Sequence, residues 1–386
     1  MRLAPLFALL PGLAFAQVEQ GPANADFEPA FPEQTRAPAL PETSVRVEVF
    51  AEGLNRPWGI APLPGGQFLV TERPGQLRVI NADGSVSGPV SGLPEIAARG
   101  QGGLLDVAVA PDFGESRVIF WTYSKPVDGG MVTAAGRGVL GADGALSEVE
   151  DIFVQAPVRN TEKHYGSRII PMEDGTVWIT TGEHSDSDTR VLAQDIETTF
   201  GKIIRVNADG SVPQDNPFVG RDGVDTIWSY GHRNVQGATI APDGTLWTIE
   251  HGPRGGDELN RPEAGRNYGW PVISYGITYG GQPIGSGDAV QEGMEQPVYY
   301  WDPVIAPGGM DFYDGDHADW QGDLLIASLN PGGLVRLEIE DGLVTGEERM
   351  LDTEGRIRDV EVLEDGSVLV LIDNPNGAVL RVTPGA

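Results

Sequence analysis

Six segments of the chain repeat one pattern, and this repeat restricts the possible folds more than any other feature. Each segment starts with a turn containing Gly or Asp, continues as a run of apolar and β-branched residues, and ends in polar residues. The segments are PGGQFLVTERPGQLRVI from Pro64, GESRVIFWTYSKPV from Gly114, EDGTVWITTGEHSD from Glu173, PDGTLWTIEHGPRGGDE from Pro242, QGDLLIASLNPGGLVRLEI from Gln321 and EDGSVLVLIDNPNGAVLRV from Glu364. Their starts lie roughly 45 to 80 residues apart, as is typical of four-stranded blades. The sequence therefore predicts an all-β fold, a six-bladed β-propeller.

The composition agrees with many short strands joined by tight turns. The chain has 386 residues, including 53 Gly and 30 Pro, and 40% of its residues are hydrophobic. Gly and Pro favour turns over long helices, and all-β domains often exceed the usual size of a domain. We therefore expect one large propeller domain over residues 45–386.

The first 44 residues lie outside this pattern. Residues 1–16, MRLAPLFALLPGLAFA, combine one Arg, a short apolar run and Ala-Phe-Ala, which predicts a secretory signal peptide cut after Ala16. Residues 17–44 hold five prolines and few large apolar groups, which predicts a flexible leader. No other segment is apolar for long enough to cross a membrane, so we expect a periplasmic or secreted protein without a membrane span. The chain has no cysteine, so its stability outside the cytoplasm must come from packing and metal ions.

The strongly acidic composition limits the partners of the protein. The formal net charge is −30, and a field of this sign repels nucleic acid and anionic membranes. Arg233 in GHRNVQG and Arg356 and Arg358 in EGRIRDVEV are therefore notable cations. Two arginines at i and i+2 lie on the same face of a strand. Such a face is usually exposed to solvent. Three arginines from distant repeats instead indicate a ligand with several carboxylates, which guanidinium groups bind in a planar, bidentate manner.

A second group of polar residues follows the six apolar runs. If each run is the innermost strand of its blade, the residues after it meet at one mouth of the central channel; they are Glu72, Arg73, Tyr123, Glu183, His251, Asn330 and Asp373. His164 precedes Glu183 by one segment, and a histidine paired with a carboxylate is a common acceptor for an alcohol proton. The alternative is that these are ordinary turn residues and that His164 is structural.

A third feature is the irregular stretch EHGPRGGDELNRPEAGRNYGWP, residues 250–271. It lacks zinc-type His and Cys spacing but offers free backbone carbonyls, together with Asp257, Glu258 and Tyr268 as oxygen donors. Irregular, oxygen-rich backbone is what calcium selects. A solvated acidic loop would have the same composition, because the stretch lacks the regular spacing of a helix-loop-helix calcium loop.

The chain resembles the soluble aldose sugar dehydrogenases that depend on calcium and pyrroloquinoline quinone (PQQ), relatives of soluble quinoprotein glucose dehydrogenase. The resemblance spans about residues 46–383 and is carried by GLNRPWGIAPLPGG, GQGGLLDVAVAPDF, GHRNVQG, EHGPRGGDELN with GRNYGWP, and GRIRDVEV, in that order. The family is a six-bladed propeller. Its members oxidise aldoses at C1 to lactones by hydride transfer to PQQ and pass electrons to a quinone or cytochrome acceptor.

This resemblance implies roles for the catalytic residues and for the metal ligands. His164 matches the base that takes the proton of the anomeric hydroxyl, Glu183 matches the acid that supports it, and Gln101 matches a glutamine beside substrate and cofactor. For the metal, Gly252 and Pro253 match carbonyls that bind the calcium on PQQ. Glu258 and Tyr268 match a second, structural calcium site, which Asp257 is expected to assist.

The resemblance also implies the cofactor contacts, which are Arg233, Asn234, Tyr279, Arg356 and Arg358. One position departs from the family: Ser328-Leu329-Asn330 stands where the family commonly has Ser-Leu-Lys. Replacing that ammonium group by an amide would weaken PQQ binding by about 1.5–3 kcal/mol unless another base compensates.

Two other functions remain open at this point. A calcium-dependent propeller lactonase or hydrolase would hold a central metal on acidic and amide side chains, for which Glu72, Glu183, Asn330 and Asp373 are candidates. It would have no evident use for Arg233, Arg356 and Arg358. A non-catalytic propeller that binds a partner would have no use for His164 beside Glu183, although a fold alone does not settle function.

Overall fold

The computed structural model describes residues 17–385, which form a ring of antiparallel sheets. The strands, in chain order, are β1 (Val45–Leu54), β2 (Pro57–Leu63), β3 (Gln67–Glu72), β4 (Gln76–Ile80), β5 (Leu104–Val109), β6 (Val118–Val127), β7 (Gly130–Leu140), β8 (Leu146–Val154), β9 (Gly166–Pro171), β10 (Thr176–Thr181), β11 (Lys202–Asn207), β12 (Ile227–Tyr230), β13 (Val235–Ile240), β14 (Leu246–Glu250), β15 (Asp257–Asn260), β16 (Tyr299–Trp301), β17 (Pro307–Phe312), β18 (Leu324–Ser328), β19 (Gly333–Glu340), β20 (Leu343–Met350), β21 (Ile357–Val362), β22 (Val368–Ile372) and β23 (Gly377–Pro384). Helix is limited to α1 (Phe113–Ser116) and to 3-10 turns at Pro32–Gln34, Arg190–Gln194 and Ala318–Trp320 within this range.

The strands form six blades, so the predicted six-bladed β-propeller is confirmed. The first blade is β2-β3-β4, and the next four are β5 to β8, β9 to β12, β13 to β16 and β17 to β20. The last blade combines β21, β22 and β23 with β1 from the start of the domain. Pairing of β1 with β23 closes the ring by hydrogen bonds between the two ends of the domain.

The six repeated segments form the second strand of each blade, so their assignment as innermost strands was wrong. They are β3, β6, β10, β14, β18 and β22, whereas β2, β5, β9, β13, β17 and β21 pack around the central axis. The second strands are buried between neighbouring blades and therefore consist of apolar residues. The innermost strands also carry polar channel residues such as Asp106, Arg168 and Asp359, which obscures their apolar pattern.

Neighbouring strands of a blade are antiparallel. The residues that follow the second strands therefore still lie at one mouth of the channel, as expected. Ile372 at the end of β22 pairs with Ile357 at the start of β21. A second strand therefore ends at the face where the innermost strand begins. Tyr123 is an exception, because it lies fully buried inside the core of its blade and its hydroxyl donates to Asp151 at 2.7 Å.

The Asp-Gly turns of the repeat connect the first and second strands. In the third blade, Gly175 has φ of 82°, a left-handed conformation that glycine adopts without a steric penalty. Asp174 Oδ1 accepts hydrogen bonds from Thr176 N at 2.9 Å and from Thr176 Oγ1 at 2.6 Å. Such local side-chain bonds stabilise tight turns. Asp243 and Asp365 make the same bond to the backbone two residues later.

A buried ion-pair network near the axis joins several blades. Arg168 on β9 lies 3.0 Å from Asp106 on β5 and 2.9 Å from Asp359 on β21. Its Nε donates to the carbonyl of Gln236 on β13 at 2.7 Å. Removing one partner of such a buried network leaves an uncompensated charge, so these contacts fix the innermost strands relative to one another.

Residues 17–44, which we call the N-terminal strap, are packed against the propeller and do not form the expected flexible leader. Gln34 is 0% exposed; its amide donates to the carbonyl of Pro297 at 2.9 Å and its Oε1 accepts from the Tyr275 hydroxyl at 2.9 Å. Ala39 bridges to Glu347 in β20. The flexible leader was predicted because the segment has few large apolar groups. Hydrogen bonds from its polar side chains and backbone attach it to the propeller instead. The expected signal peptide, residues 1–16, lies outside the described residues.

The helical segments of residues 17–385 are all too short to cross a membrane.

Candidate functional site

The candidate site lies at the face of the propeller where innermost strands begin and second strands end. His164 comes just before β9, Arg233 and Asn234 come just before β13, and Arg356 comes just before β21. Glu183 follows β10 closely. The ring geometry thus gathers residues that are far apart in the sequence around one opening of the channel.

His164 and Glu183 form a buried hydrogen-bonded pair. His164 Nδ1 lies 3.0 Å from Glu183 Oε2, and the two residues are 8% and 1% exposed. Glu183 also accepts bonds from the Trp270 indole, at 3.2 Å, and from the backbone N–H of Ser185. Gln101 Oε1 accepts the backbone N–H of His164 at 2.8 Å. The structure therefore brings His164, Glu183 and Gln101 together.

The surroundings of His164 favour the neutral form of its imidazole. Burial lowers the pKa of His164 below its usual value and Arg233 adds to this effect, while Glu183 opposes it. Burial raises the pKa of Glu183, but His164 and Arg233 outweigh it and hold that pKa below its usual value. A neutral imidazole donates through Nδ1 to the ionised Glu183, which leaves the lone pair of Nε2 free to accept a proton.

Arg233 is buried beside this pair with part of its guanidinium unused. Its Nη1 donates to the carbonyl of His251 at 2.8 Å, and its charge lies 5.0 Å from the ring centre of Trp270. Its Nε is buried and finds no partner among residues 17–385. Leaving such a donor unpaired costs free energy, so the site fits a ligand that supplies an acceptor. Asn234 is different, because its Oδ1 already accepts from Gly166 N at 3.0 Å.

Arg356, which precedes β21, and Arg358, which lies on it, share one carboxylate. Their Nη2 atoms are 3.3 Å and 2.9 Å from Asp373 Oδ2. Burial raises the pKa of Asp373, but the two arginines outweigh it and hold that pKa below its usual value. Arg358 is buried with an unpaired Nε in the described part of the chain, and Arg73 also interacts with Asp373. Three cations thus surround one anion, an arrangement with spare positive charge.

The predicted metal residues divide into those with free oxygens and those without. Asp257 uses both oxygens: Oδ1 accepts from Gly252 N at 2.7 Å, and Oδ2 accepts from the backbone N–H groups of Ile305 and Ala306 at 2.9 and 2.7 Å. The Tyr268 hydroxyl donates to Arg261 O at 2.6 Å. Both side chains are therefore already engaged in fixing the loop.

Glu258 lines a cavity just large enough for one water or one ion. The cavity holds about 10 Å³ of space for a water-sized sphere, and its walls include Glu250, Gly252, Pro253, Glu258 and Tyr268. Burial raises the pKa of Glu258 well above its usual value, and Glu250 adds to the effect. A bound cation would relieve this accumulation of buried carboxylates. No group of three or more His, Asp or Glu side chains converges as a metal cluster within residues 17–385.

Two predicted cofactor contacts lie apart from the buried group. The Tyr279 side chain is 77% exposed, and Asn330 is an exposed residue whose backbone N–H donates to Ile305 O at 3.3 Å. Neither is packed among His164, Glu183 and Arg233.

Sequence reasoning missed two residues that organise the site. Trp270 contacts both Glu183 and Arg233, as described above. Glu250 lies 2.9 Å from His232 Nδ1 through Oε1 and accepts the backbone N–H of Arg233 through Oε2. Both residues occur in the stretch of residues 250–271 that the sequence marked as a metal loop, so the region was identified but these roles were not.

Comparisons with known proteins identify the family of the chain. The family model described as glucose/sorbosone dehydrogenase matches residues 54–381. The aldose sugar dehydrogenase YliI of Escherichia coli K12 is 43% identical over 357 residues, which cover 90% of this chain and 94% of the relative.

Solved structures show the same fold over nearly the whole chain. The soluble aldose sugar dehydrogenase of Escherichia coli in its apo form matches with a TM-score of 0.85 and 41% identity, covering 89% of this chain and 100% of that one. The PQQ-bound aldose sugar dehydrogenase of Streptomyces coelicolor matches with a TM-score of 0.73 and 27% identity, again covering 89% and 100%. From the match along residues 54–381 and the identity to the Escherichia coli enzyme, the chain belongs to the glucose/sorbosone dehydrogenase family.

Proposed function

We propose that this protein is an exported quinoprotein dehydrogenase that oxidises aldose sugars at C1 to lactones, with calcium-bound PQQ as the hydride acceptor. The observation that carries the proposal is the buried, hydrogen-bonded pair of His164 and Glu183 beside Arg233, a buried arginine whose Nε has no partner in the described residues. A proton acceptor next to an anion-binding group is what a quinone cofactor and an alcohol substrate require. The PQQ-bound structure of the Streptomyces coelicolor relative supports the choice of cofactor.

The donor set at the channel mouth fits PQQ, which carries three carboxylates. Arg233 and Arg358 each keep a buried Nε without a partner in the described residues, and Arg356 shares a single carboxylate with Arg358. In this proposal Arg233 and Asn234 hold the carboxylate and carbonyl side of the cofactor, and Arg356 and Arg358 hold the rest. When bound, the quinone accepts the hydride from C1 of the sugar.

The remaining residues act on the sugar proton and the metal. His164 accepts the C1 hydroxyl proton at Nε2, Glu183 stabilises the imidazolium that forms, and Gln101 holds the His164 backbone while contacting substrate or cofactor. In this proposal the carbonyls of Gly252 and Pro253 bind the calcium on PQQ. We assign Glu258 to the second calcium, because burial beside Glu250 favours a bound cation there.

Three further assignments belong to this proposal. Tyr279 covers the cofactor from the exposed rim, and Asn330 provides an amide contact where the family has lysine. The electrons leave to a quinone or cytochrome acceptor, and the protein works in the periplasm or outside the cell.

The lactonase alternative is disfavoured because three of its four proposed metal ligands are committed elsewhere. Glu72 lies 3.3 Å from Arg78, Glu183 is paired with His164, and Asp373 is bound by two arginines.

The decisive experiment is dye reduction by the purified protein with a panel of aldoses, with and without PQQ and calcium. We expect activity that needs both additions. His164→Ala should lower kcat by about 10²–10⁴-fold, the range for loss of an acid–base group, while PQQ binding persists. Arg233→Ala should instead weaken PQQ binding measured by calorimetry. Failure of the wild-type protein to bind PQQ in calcium-replete buffer would refute the proposal and redirect the assay to lactone hydrolysis.

A further inference from the structure

Asn24 in the N-terminal strap connects two segments of the fourth blade. Its backbone N–H donates to Asp302 Oδ2 at 2.8 Å and its Nδ2 donates to Asp302 Oδ1 at 2.5 Å. Its Oδ1 accepts from Arg254 Nε at 2.8 Å. Ala25 N adds a bond to Asp302 Oδ2 at 3.1 Å. The Asn24 side-chain amide thus donates to an anion and accepts from a cation, and these two residues come from different parts of the chain.

Arg254 belongs to the loop between β14 and β15, which also contains Gly252 and Pro253. Its backbone pairs with Ile277, with N···O distances of 3.0 Å in both directions. The loop packs tightly against Asp302, because a Cβ added at Gly255 would lie 2.6 Å from Asp302 Oδ1. Asn24 therefore holds the outer side of this loop through both Arg254 and Asp302.

The inner side of the same loop is held by a different set of bonds. Asp257 accepts the N–H of Gly252 at 2.7 Å, and the N–H of Gly256 donates to Trp301 O at 2.8 Å. These bonds fix the two ends of the loop. In its middle, the backbone of Arg254 is held by Ile277 and its side chain is held by Asn24 of the strap. Arg254 follows Pro253 directly in the sequence, so the strap contacts the residue next to a predicted ligand.

The strap has further anchors that keep Asn24 in place. Arg36 Nη2 donates to the carbonyls of Asp302, at 2.8 Å, and Gly21, at 3.1 Å. Phe27 packs edge-on against Tyr275 with a centroid distance of 6.2 Å. Because both ends of the segment around Asn24 are attached, Asn24 is presented to Arg254 without a large entropic cost at the moment of metal binding.

We propose that Asn24 is a positioning residue for calcium: through Arg254 and Asp302 it sets the loop that presents the Gly252 and Pro253 carbonyls. This inference rests on the proposed function, which places calcium at those carbonyls. It assigns a functional contribution to the N-terminal strap, which lies outside the propeller blades. Outer residues that orient metal ligands typically change metal affinity by about 10- to 100-fold when mutated.

The test is calorimetric titration of Ca²⁺ into calcium-stripped mature protein, with and without PQQ. Asn24→Ala should raise the Kd for Ca²⁺ about tenfold or more. The matched control is Gln20→Ala in the same strap, whose amide donates to Glu347 at 3.0 Å, away from the loop. The control should lower the melting temperature at least as much as Asn24→Ala while leaving the Kd for Ca²⁺ within twofold of wild type.

A double-mutant cycle separates positioning from general destabilisation. If Asn24 acts through Arg254, the effects of Asn24→Ala and Arg254→Ala on the Kd for Ca²⁺ should be non-additive. An unchanged Kd in Asn24→Ala, with wild type binding Ca²⁺, would overturn this inference and leave the proposed function intact. Absence of Ca²⁺ binding in wild type, even with PQQ, would overturn both. Should Asn24→Ala fail to fold, Arg254→Ala removes the same link from an exposed side chain, and an unchanged Kd there overturns the inference.

Discussion

At the scale of single residues, the chemistry depends on which protonation state His164 holds. The pKa of His164 lies below its usual value because of burial and Arg233, with the Glu183 carboxylate acting in the opposite direction. A base must be deprotonated to accept a proton, so a lowered pKa extends its working range toward acid. The lowered pKa makes His164 a weaker base, but it increases the fraction of deprotonated imidazole at neutral pH.

This balance predicts the pH dependence of kcat/KM for the PQQ- and calcium-loaded enzyme. Activity should rise with pH along an acid limb that lies below the usual histidine value of about 6.5. Glu183→Gln removes the charge that raises the His164 pKa, so the limb should move to lower pH. It should also lower the plateau on the order of 10- to 100-fold, because the imidazolium loses its counter-ion.

Lys163→Gln is the matched control for this profile, since Lys163 lowers the His164 pKa from outside the hydrogen-bonded group. It should move the acid limb slightly upward and keep the plateau. Dye-reduction rates between about pH 4 and 9 would measure all three profiles. A wild-type limb above pH 6.5, or an upward shift in Glu183→Gln, would contradict the role given to the pair.

Asn330 gives a second prediction at this scale. The position follows β18 and is exposed, so a longer cationic side chain can be accommodated without loss of packing. Asn330→Lys should tighten PQQ binding by about 1.5–3 kcal/mol, or roughly 10- to 150-fold, if a charge-assisted contact to the cofactor forms.

Calorimetry of PQQ binding in saturating calcium would measure the effect, and Asn330→Gln serves as the uncharged control. Equal affinities for the lysine and glutamine variants would show that position 330 does not reach the anionic groups. In that case Arg73, which interacts with Asp373 and Arg356, is the better candidate for the compensating cation.

At the scale of secondary-structure elements, the sequence predicted the blades because turn chemistry and burial recur together. Asp174, Gly175 and Thr176 form one of these turns, and the apolar strand that follows is buried between blades. The innermost strands could not be recognised in the same way, since Asp106 and Arg168 interrupt their apolar pattern to form ion pairs across the channel. A run of apolar residues in the sequence indicates a buried strand. A strand that lines a polar channel is also buried, but its sequence is not apolar, so this signal misses it.

The N-terminal strap and part of the site were unpredictable for a related reason. Gln20 contacts Glu347, which is 327 residues away, and Asn24 contacts Asp302, which is 278 residues away. Local composition does not encode such partners, so a polar, proline-rich segment appears disordered when it is read alone. The closeness of His164 and Glu183 in neighbouring segments of one blade was predictable, although the sequence alone could not show that their side chains meet. The contacts of Trp270 depend on a long loop and were not.

At the scale of the whole molecule, an acidic exterior surrounds a basic opening. The net charge of −30 contrasts with Arg73, Arg233, Arg356 and Arg358 gathered near one mouth of the channel. The acidic exterior slows the approach of an anionic cofactor, and the local arginines retain it once it has arrived. A neutral sugar is unaffected by this field, so substrate exchange and cofactor retention are governed by different forces.

The channel itself holds a second charge imbalance. A cavity of about 350 Å³ along the innermost strands is lined by Asp106, Asp311, Asp359 and Glu361, with Arg168 as its cation. Burial raises the pKa of Asp311 to about 7 and that of Asp106 to about 6. Burial likewise raises the pKa of Glu361 well above its usual value, and Asp311 adds to the effect.

These shifts predict that the free energy of unfolding falls as pH rises from about 4 to 7. Over this interval the folded protein keeps protons on Asp311 that the unfolded chain has already released, so folding is favoured at low pH and the advantage disappears above the folded-state pKa. Asp311→Asn removes this titration while its amide oxygen can still accept the Val362 N–H, 3.0 Å from Asp311 Oδ2. The pH dependence of the urea midpoint should therefore be shallower in the variant, which should be the more stable protein at pH 8 by about 1–3 kcal/mol.

Salt distinguishes this local effect from repulsion across the acidic surface. Raising the ionic strength from about 0.1 to 0.5 M shortens the screening length and weakens interactions between exposed charges, but it acts little on buried ones. The difference in slope between wild type and Asp311→Asn should thus persist at high salt, whereas Asp352→Asn, which removes the same charge from an exposed position, should behave as wild type. Urea denaturation in calcium-free buffer at several pH values would measure these slopes. If both variants flatten the profile equally, or if the difference vanishes in salt, the acid-favoured stability comes from overall charge and the channel carboxylates do not control it.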